Sequence, residues 1–328
     1  MITRTDDLGD VILTLPLAVE IKRRLPDVEL AFLVRPYISH LVDRIREIDT
    51  TFTLPASGKG SGIFKEYKPD AIIFAHPDFR LALDAVRSRI DVRVGPGYSW
   101  YSGLFTRWIY DRRRRWGSHE AEFELGMLEP LFDGPFELTM PELPPMEEAI
   151  AEADAFRREI GIDGRYLIIH PIGYDDLPGY PIECYAEIGR ALLDEHPDLS
   201  IIITAVKEEH EEAARLMSEI DRPGRVGVSE TLSPNGVSEL VRGASCFISS
   251  SSDGVHLAAL VRTPVVALFP GNPPDWPQRR GPIGESVTTL IPHRNEPLPP
   301  GGARGHNPES VIARIRPERV IDAVGGAL

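Results

Sequence analysis

Short apolar runs bounded by turn residues, each followed by an amphipathic stretch, recur along this chain, and no other feature limits its folding as tightly. A strand buried on both faces reads as a continuous apolar run, whereas a helix on a sheet reads as apolar positions three and four apart. The alternation is therefore that of βαβ units, parallel strands joined by helical crossovers. In the first half it gives strands over Val28–Val34 and Ala71–Ala75 and a helix over Leu81–Arg89. The second half reads strand Tyr166–His170, helix Cys184–Asp194, strand Ser200–Thr204, helix Glu208–Ile220, strand Cys246–Ser249, helix Val255–Leu260 and strand Pro264–Phe269.

The chain has 328 residues, more than one hydrophobic core usually serves, since single cores stop growing near about 250 to 300 residues. Two α/β domains are expected. The segment Pro135–Met146 is rich in proline and acid without helical or strand periodicity, which marks a linker. It ends in a helix pattern over Glu147–Ile160. The expected domains are residues 1–146 and 147–328. A final helix, Pro317–Val324, is expected to pack back on the first domain. The Pro- and Gly-rich stretch Phe269–Gly305 is expected to be a long structureless loop, which in a compact domain marks function or mobility. No short-period repeat is present, so a solenoid is excluded.

Composition removes several classes of function. Hydrophobic residues at 42% and charged residues at 26% are those of a folded globular chain. A net charge of −14 argues against nucleic acid, whose binding proteins displace counterions with excess Lys and Arg. Cys184 and Cys246 are far apart, lie next to apolar residues and form no C-x-x-C pair, so two buried thiols in a reducing cytosol are expected. No apolar run reaches the roughly 20 residues that span a bilayer, and acidic residues near the start stand where a signal peptide keeps its apolar core. A cytoplasmic protein is expected, with peripheral work at a membrane surface compatible. The pairs Asp6–Asp7 and Asp175–Asp176 come without a His or Cys set, so no metal is expected. No G-x-G-x-x-G follows the first strand, which disfavours a dehydrogenase.

In an open α/β sheet, ligands bind beyond the carboxyl ends of the strands, which directs attention to four stretches. Thr3–Pro16, T-R-T-D-D-L-G-D-V-I-L-T-L-P, ends a strand, turns at Gly9 and enters a helix. A carboxylate there, Asp10, suits a general base that takes the proton of a hydroxyl nucleophile; Asp at such a turn is also a common helix cap. The motif leaves both roles open, with Asp7 and His119 as the next bases if Asp10 is a cap. Arg93–Gly126 holds V-G-P-G-Y-S-W, an aromatic and basic stretch and S-H-E; its Arg112–Arg115 run is the dense basic cluster of an acidic chain, suited to draw in an anionic ligand or to form a solvated face. His170 opens H-P-I-G at a strand end, and Pro181 follows Tyr180. Ser249–Gly271, S-S-S-S-D-G-V-H-L-A-A-L-V-R-T-P-V-V-A-L-F-P-G, runs from a strand end into a helix, whose first N–H groups and positive dipole end suit a diphosphate.

Taken in order, these stretches resemble glycosyltransferase family 9, the ADP-heptose:lipopolysaccharide heptosyltransferases, and the resemblance spans almost the whole chain. It implies the GT-B architecture, two Rossmann-like domains facing across a cleft, with the acceptor on the first and a nucleotide-sugar donor on the second. It implies inverting transfer of a sugar, a heptose from an ADP-linked donor, to a lipopolysaccharide-core or other glycan acceptor, without metal or other cofactor. Asp10 takes the position of the family's catalytic base; Gly9, Arg112, Arg113 and His119 fall on the acceptor side. His170, Ser251, Ser252, Asp253, Gly254 and His256 fall on the donor side, as do Glu208 and Glu209, with a carboxylate for the ribose hydroxyls. The sequence departs from the family pattern at three places. Leu177 or Pro178 stands where relatives carry a lysine, Tyr180 stands for a tryptophan, and Ser251–Asp253 stand for Asp-Thr-Gly. A nucleotide-sugar epimerase of the same architecture and a non-catalytic nucleotide or glycan binder are the alternatives.

Overall fold

A computed structural model describes residues 1–110, 119–172, 179–206, 209–229, 231–270, 277–293 and 311–328; of Ser252 and Val311 it describes the backbone alone. The chain divides into two compact units, Met1–Pro144 and Pro145–Leu328, at a proline pair inside the proline-rich segment.

The first unit is built on β1 (Ile2–Thr3), β2 (Ala31–Val34), β3 (Thr50–Thr53), β4 (Ala71–Phe74), β5 (Val92–Pro96) and β6 (Arg107–Ile109). All strand pairs are parallel, in the order β3-β2-β1-β4-β5-β6. Its helices are α1 (Leu8–Arg24), α2 (Ser39–Val42), α3 (Ser61–Tyr67), α4 (Phe79–Arg87) and α5 (Glu120–Leu125). Strands β2 and β4 carry buried apolar runs, as the sequence requires. The edge strands β3 and β6 are half-exposed and hold polar residues, so no apolar run announces them. Helix α1 begins after Asp7, whose extended backbone makes it the N-cap. It ends with Lys22, Arg23 and Arg24 against its negative dipole end. Helix α4 is capped by Asp78, whose side chain accepts from the Leu81 N–H.

The second unit repeats the plan with β7 (Arg165–His170), β8 (Leu199–Thr204), β9 (Val226–Ser229), β10 (Phe247–Ser249), β11 (Val265–Leu268) and β12 (Val287–Leu290). The order is β12-β11-β10-β7-β8-β9, again parallel throughout. The helices are α6 (Glu147–Glu159), α7 (Ile182–Glu195), α8 (His210–Ile220), α9 (Pro234–Arg242), α10 (Ser252–Leu260), α11 (Pro277–Arg280) and α12 (Pro317–Gly325). The stretch expected to be structureless between Phe269 and Gly305 contains α11 and the edge strand β12. The residues Val287-Thr288-Thr289-Leu290 are largely β-branched, which favours a strand, but they lack a continuous apolar run. Helix α12 packs on α7 and β11 and adds Val320 and Val324 to the second unit's core. Cys184 and Cys246 are free and buried in that core, where burial pushes their thiols up to about 11 and about 12. Among the described residues no helix is long and apolar enough to cross a membrane.

Both sheets reverse direction at one strand pair. The chain runs outward from β1 to β3 and then restarts at β4 beside β1; it runs from β7 to β9 and restarts at β10 beside β7. At such a reversal the two crossovers leave on opposite faces and open a crevice beyond the carboxyl ends of the strands. The functional search therefore narrows to the residues following β1 and β4, and those following β7 and β10.

Gly95 on β5 shows how tightly the first sheet is packed. A Cβ there would lie 2.5 Å from the Phe105 ring, which itself packs on Phe74 at 5.4 Å between centroids. Gly95→Ala should destabilise the protein by about 1–3 kcal/mol through overpacking. The check is a lower denaturation midpoint with an unchanged slope.

Candidate functional site

At the β1–β4 reversal the chain leaves β1 through Arg4, whose side chain is only 4% exposed. The guanidinium is held on every edge. Nε meets Asp6 Oδ1 at 2.8 Å, Nη1 meets Glu124 Oε1 at 2.7 Å and donates to the Ala75 carbonyl at 3.4 Å, and Nη2 meets Asp10 Oδ1 at 3.1 Å. Burial works against the charge, but Glu124, Asp6 and Asp10 outweigh it and raise the Arg4 pKa above its ordinary value. Asp6 also receives the His76 Nδ1 at 3.1 Å, from the end of β4. Burial alone would raise the Asp6 pKa; the His76 and Arg4 contacts pull it down to about 2.

Asp10 is thus placed in the first turn of α1, buried, three residues after the N-cap. The capping position belongs to Asp7, although its side chain makes no capping bond. Gly9 lies beside Asp10 and is buried. His119 is the N-cap of α5: its Nδ1 accepts from the Ala121 N–H at 3.2 Å, and Glu122 accepts from the His119 N–H. Arg112 and Arg113, with the rest of the basic run, lie outside the described residues.

At the β7–β10 reversal the loop after β10 is tied down by hydroxyls. Ser249 Oγ donates to the His170 carbonyl at 2.8 Å and accepts from the Ser251 N–H at 2.8 Å. The Tyr185 hydroxyl accepts from the Ser250 N–H at 3.0 Å and donates to Ser250 Oγ at 3.3 Å. Tyr180 stacks edge-on against Tyr185 at 5.0 Å, and its hydroxyl donates to the Ile315 carbonyl. Ser251 is the N-cap of α10, so Ser252, Asp253 and Gly254 form the first helical turn where a loop was expected. A Cβ on Gly254 would lie 2.8 Å from the Phe247 ring and 3.7 Å from His170 Cδ2, so glycine lets α10 begin close to the strand ends. His256, one turn on, is buried.

His170 ends β7, and its Nδ1 lies 2.9 Å from the Thr204 carbonyl. Donation to that carbonyl fixes the neutral tautomer with its lone pair on Nε2. Burial lowers the His170 pKa, against smaller opposing effects of Glu209 and the Thr204 bond. Glu209 caps α8 and its carboxylate accepts from the Val206 N–H at 2.9 Å, closing the turn after β8. Glu208 lies outside the described residues. Among the described residues no His, Cys, Asp or Glu group is arranged to hold a metal ion.

The structure therefore gathers His170, the Ser249–Ser251 turn, the start of α10 and Glu209 at one reversal, and Asp10 at the other. Sequence reasoning missed Arg4 beside Asp10, Glu124 on Arg4 and His76 on Asp6, and set Asp6 aside with the metal pairs. A charged residue directly after an apolar strand was the available signal for Arg4.

Residues 65–299 match the family model for glycosyltransferase family 9 (heptosyltransferase). The chain belongs to glycosyltransferase family 9. It is 21% identical over 301 residues to a Haemophilus influenzae protein carrying a glycosyltransferase name, covering 87% of this chain and 86% of that protein. Its fold is similar to that of Escherichia coli ADP-heptose lipopolysaccharide heptosyltransferase II, with a TM-score of 0.81 at 17% identity over 99% of this chain and 98% of that one. It is also similar to Escherichia coli heptosyltransferase WaaC with ADP, with a TM-score of 0.70 at 18% identity over 100% and 99%. The family 9 chain is a glycosyltransferase, and its two parallel six-stranded sheets are those of these folds.

In this glycosyltransferase the depressed pKa of His170 has a consequence for stability. The unfolded chain protonates the imidazole below about 6.5, while the folded chain resists until lower pH. The unfolded state then binds more protons, so the His170 contribution is full above about pH 6.5 and is lost as pH falls below it. Denaturant unfolding at pH 7.5 and 5.5 should show this fall. In His170→Asn the dependence should flatten, with a slope difference no larger than about 1.4 kcal/mol per pH unit.

Proposed function

We propose that this family 9 glycosyltransferase transfers a heptose from an ADP-linked donor to a lipopolysaccharide-core or other glycan acceptor, inverting the anomeric carbon. The observation that carries this reading is the carboxylate of Asp10, fixed in the first turn of α1 at the β1–β4 reversal and ion-paired with Arg4. An ionised carboxylate at a ligand crevice accepts the proton of a hydroxyl as its oxygen attacks the anomeric carbon. The bond to the diphosphate oxygen breaks with its electron pair, and the diphosphate leaves.

The donor reading rests on the second reversal. The start of α10 presents the positive end of its helix dipole, which suits a diphosphate. The Nε2 of His170 accepts from a hydroxyl, which suits a sugar or ribose. ADP, bound in the WaaC structure, supports an adenine nucleotide here. The α10 end and the hydroxyls around it supply a metal-free route for the leaving group. The family match favours transfer over the epimerase alternative.

Asp10→Asn removes the proton acceptor and leaves Arg4 with Glu124 and Asp6, so the fold should survive. Release of ADP from ADP-heptose in the presence of a heptose-free core oligosaccharide should slow about 10²- to 10⁴-fold in kcat, with donor binding nearly unchanged. Turnover near wild type would show that Asp10 is not the base.

Tyr185→Phe tests the donor side. It leaves the Ser250 N–H without its hydroxyl acceptor, at a cost of about 1–3 kcal/mol, and loosens the turn that precedes α10. Calorimetric titration with ADP should give several-fold weaker binding, while Asp10 chemistry is preserved. Unchanged ADP affinity would place the nucleotide elsewhere.

A further inference from the structure

Asp10 does not face Arg4 alone. Among the described residues, the charged and titratable groups around this point include Arg4 and Asp6 after β1, Arg35 after β2, His76 after β4, Asp10 on α1, and Glu120 and Glu124 on α5. Arg35 is anchored on the Thr5 carbonyl. Of the three carboxylates on the guanidinium, Glu124 is fully buried and holds the shortest contact, at 2.7 Å; Asp10 holds the longest, at 3.1 Å.

This order has a chemical consequence. A carboxylate paired one-to-one with a buried arginine is a weak base, because protonating it forfeits the ion pair. A guanidinium already shared with two other carboxylates holds the third less strongly, and those like charges favour its protonation. Glu124 also locks the guanidinium plane, together with Asp6 and the Ala75 carbonyl, so that Nη2 points at Asp10.

We infer that Glu124 is a positioning residue for the proposed base: from α5 it aims Arg4 at Asp10 and takes up part of the arginine's charge, so that Asp10 is held in place to accept a proton. Asp6 does the same from the Nε edge. The inference rests on the reading of Asp10 as general base.

Its test uses the full-length enzyme labelled with ¹³C-aspartate, the Asp10 carboxyl resonance being assigned by its loss in Asp10→Asn. In Glu124→Gln the side-chain oxygen still accepts from Arg4 while the charge is gone. Asp10 should then titrate at a lower pH, because the Arg4 charge beside it is less offset. Under the ADP-release assay with ADP-heptose and core oligosaccharide, kcat should fall about 3- to 10-fold, its acidic limb should move the same way, and the donor KM should hold. Glu124→Asp, which restores the charge, should return both readings toward wild type.

An Asp10 titration unchanged in folded Glu124→Gln overturns the assignment. Should that variant not fold, Asp6→Asn removes a charge from the same guanidinium and must move Asp10 in the same direction; no movement overturns it equally. Full turnover in Asp10→Asn would remove the general-base reading, whereas an inactive Asp10→Asn with an unmoved Asp10 titration in Glu124→Gln removes only the role of Glu124.

Discussion

A guanidinium out of water must be paired on every edge, and the first unit is arranged around meeting that condition for Arg4. Moving such an ion into a low-dielectric interior costs several kcal/mol even after relaxation, and leaving it without a counter-charge costs about 3–5 kcal/mol. The partners come from four places: Asp6 after β1, the Ala75 carbonyl after β4, Asp10 on α1 and Glu124 on α5. The pairing thus holds α5 against α1 at the carboxyl end of the β1–β4 strand pair. The carboxylate proposed to do chemistry belongs to the same set as those that hold the fold together, so its geometry is over-determined. Only a residue so constrained keeps the sub-ångström placement that proton transfer requires.

The two reversals share a topology and differ in chemistry. Helix α1 opens with Asp7 and Asp10, which answer its positive end with negative charge, leaving little attraction for a phosphate there. Helix α10 opens with Ser251 and Ser252 beside a turn held by Ser249 and Tyr185, where backbone N–H groups and hydroxyls prevail over charge. Asp253 in its first turn is the exception. A neutral hydroxyl nucleophile fits the first environment and an anionic leaving group fits the second, which is the division of labour that a glycosyltransferase needs.

How far the sequence could be read follows from what each element had to bury. Strands β2, β4, β7, β8, β10 and β11 lie inside their sheets and carry apolar runs, so they were legible. Edge strands β3, β6 and β12 are partly solvated, and their sequences Thr50–Thr53, Arg107–Ile109 and Val287–Leu290 alternate with polar residues or are too short to stand out. Asp10 was legible because it stands in a motif with local spacing. The groups around it were not: Glu124 is 120 residues from the Arg4 that it pairs with, and a lone arginine or glutamate in sequence reads as surface. His119 carries a second role that its S-H-E run did not announce, since that run is also the start of a helix that His119 caps.

Tyr180 shows why a departure from a family pattern is a weak guide to loss of function. In the sequence it stands where the family resemblance implies a tryptophan. In the structure its ring packs on Tyr185, its N–H donates to Ser250 Oγ at 3.3 Å, and its hydroxyl reaches the Ile315 carbonyl at 2.8 Å. A tryptophan has one donor at a different place and cannot make the same hydroxyl bond to Ile315. The substitution therefore leaves the backbone bond to the Ser250 turn in place and adds a side-chain bond to Ile315. Tyr185 shares the task, because it bonds both the backbone and the side chain of Ser250. With two tyrosines and Ser249 fixing the turn, the start of α10 is set by neutral hydrogen bonds buried in the core, and these, unlike surface ion pairs, are little screened by salt.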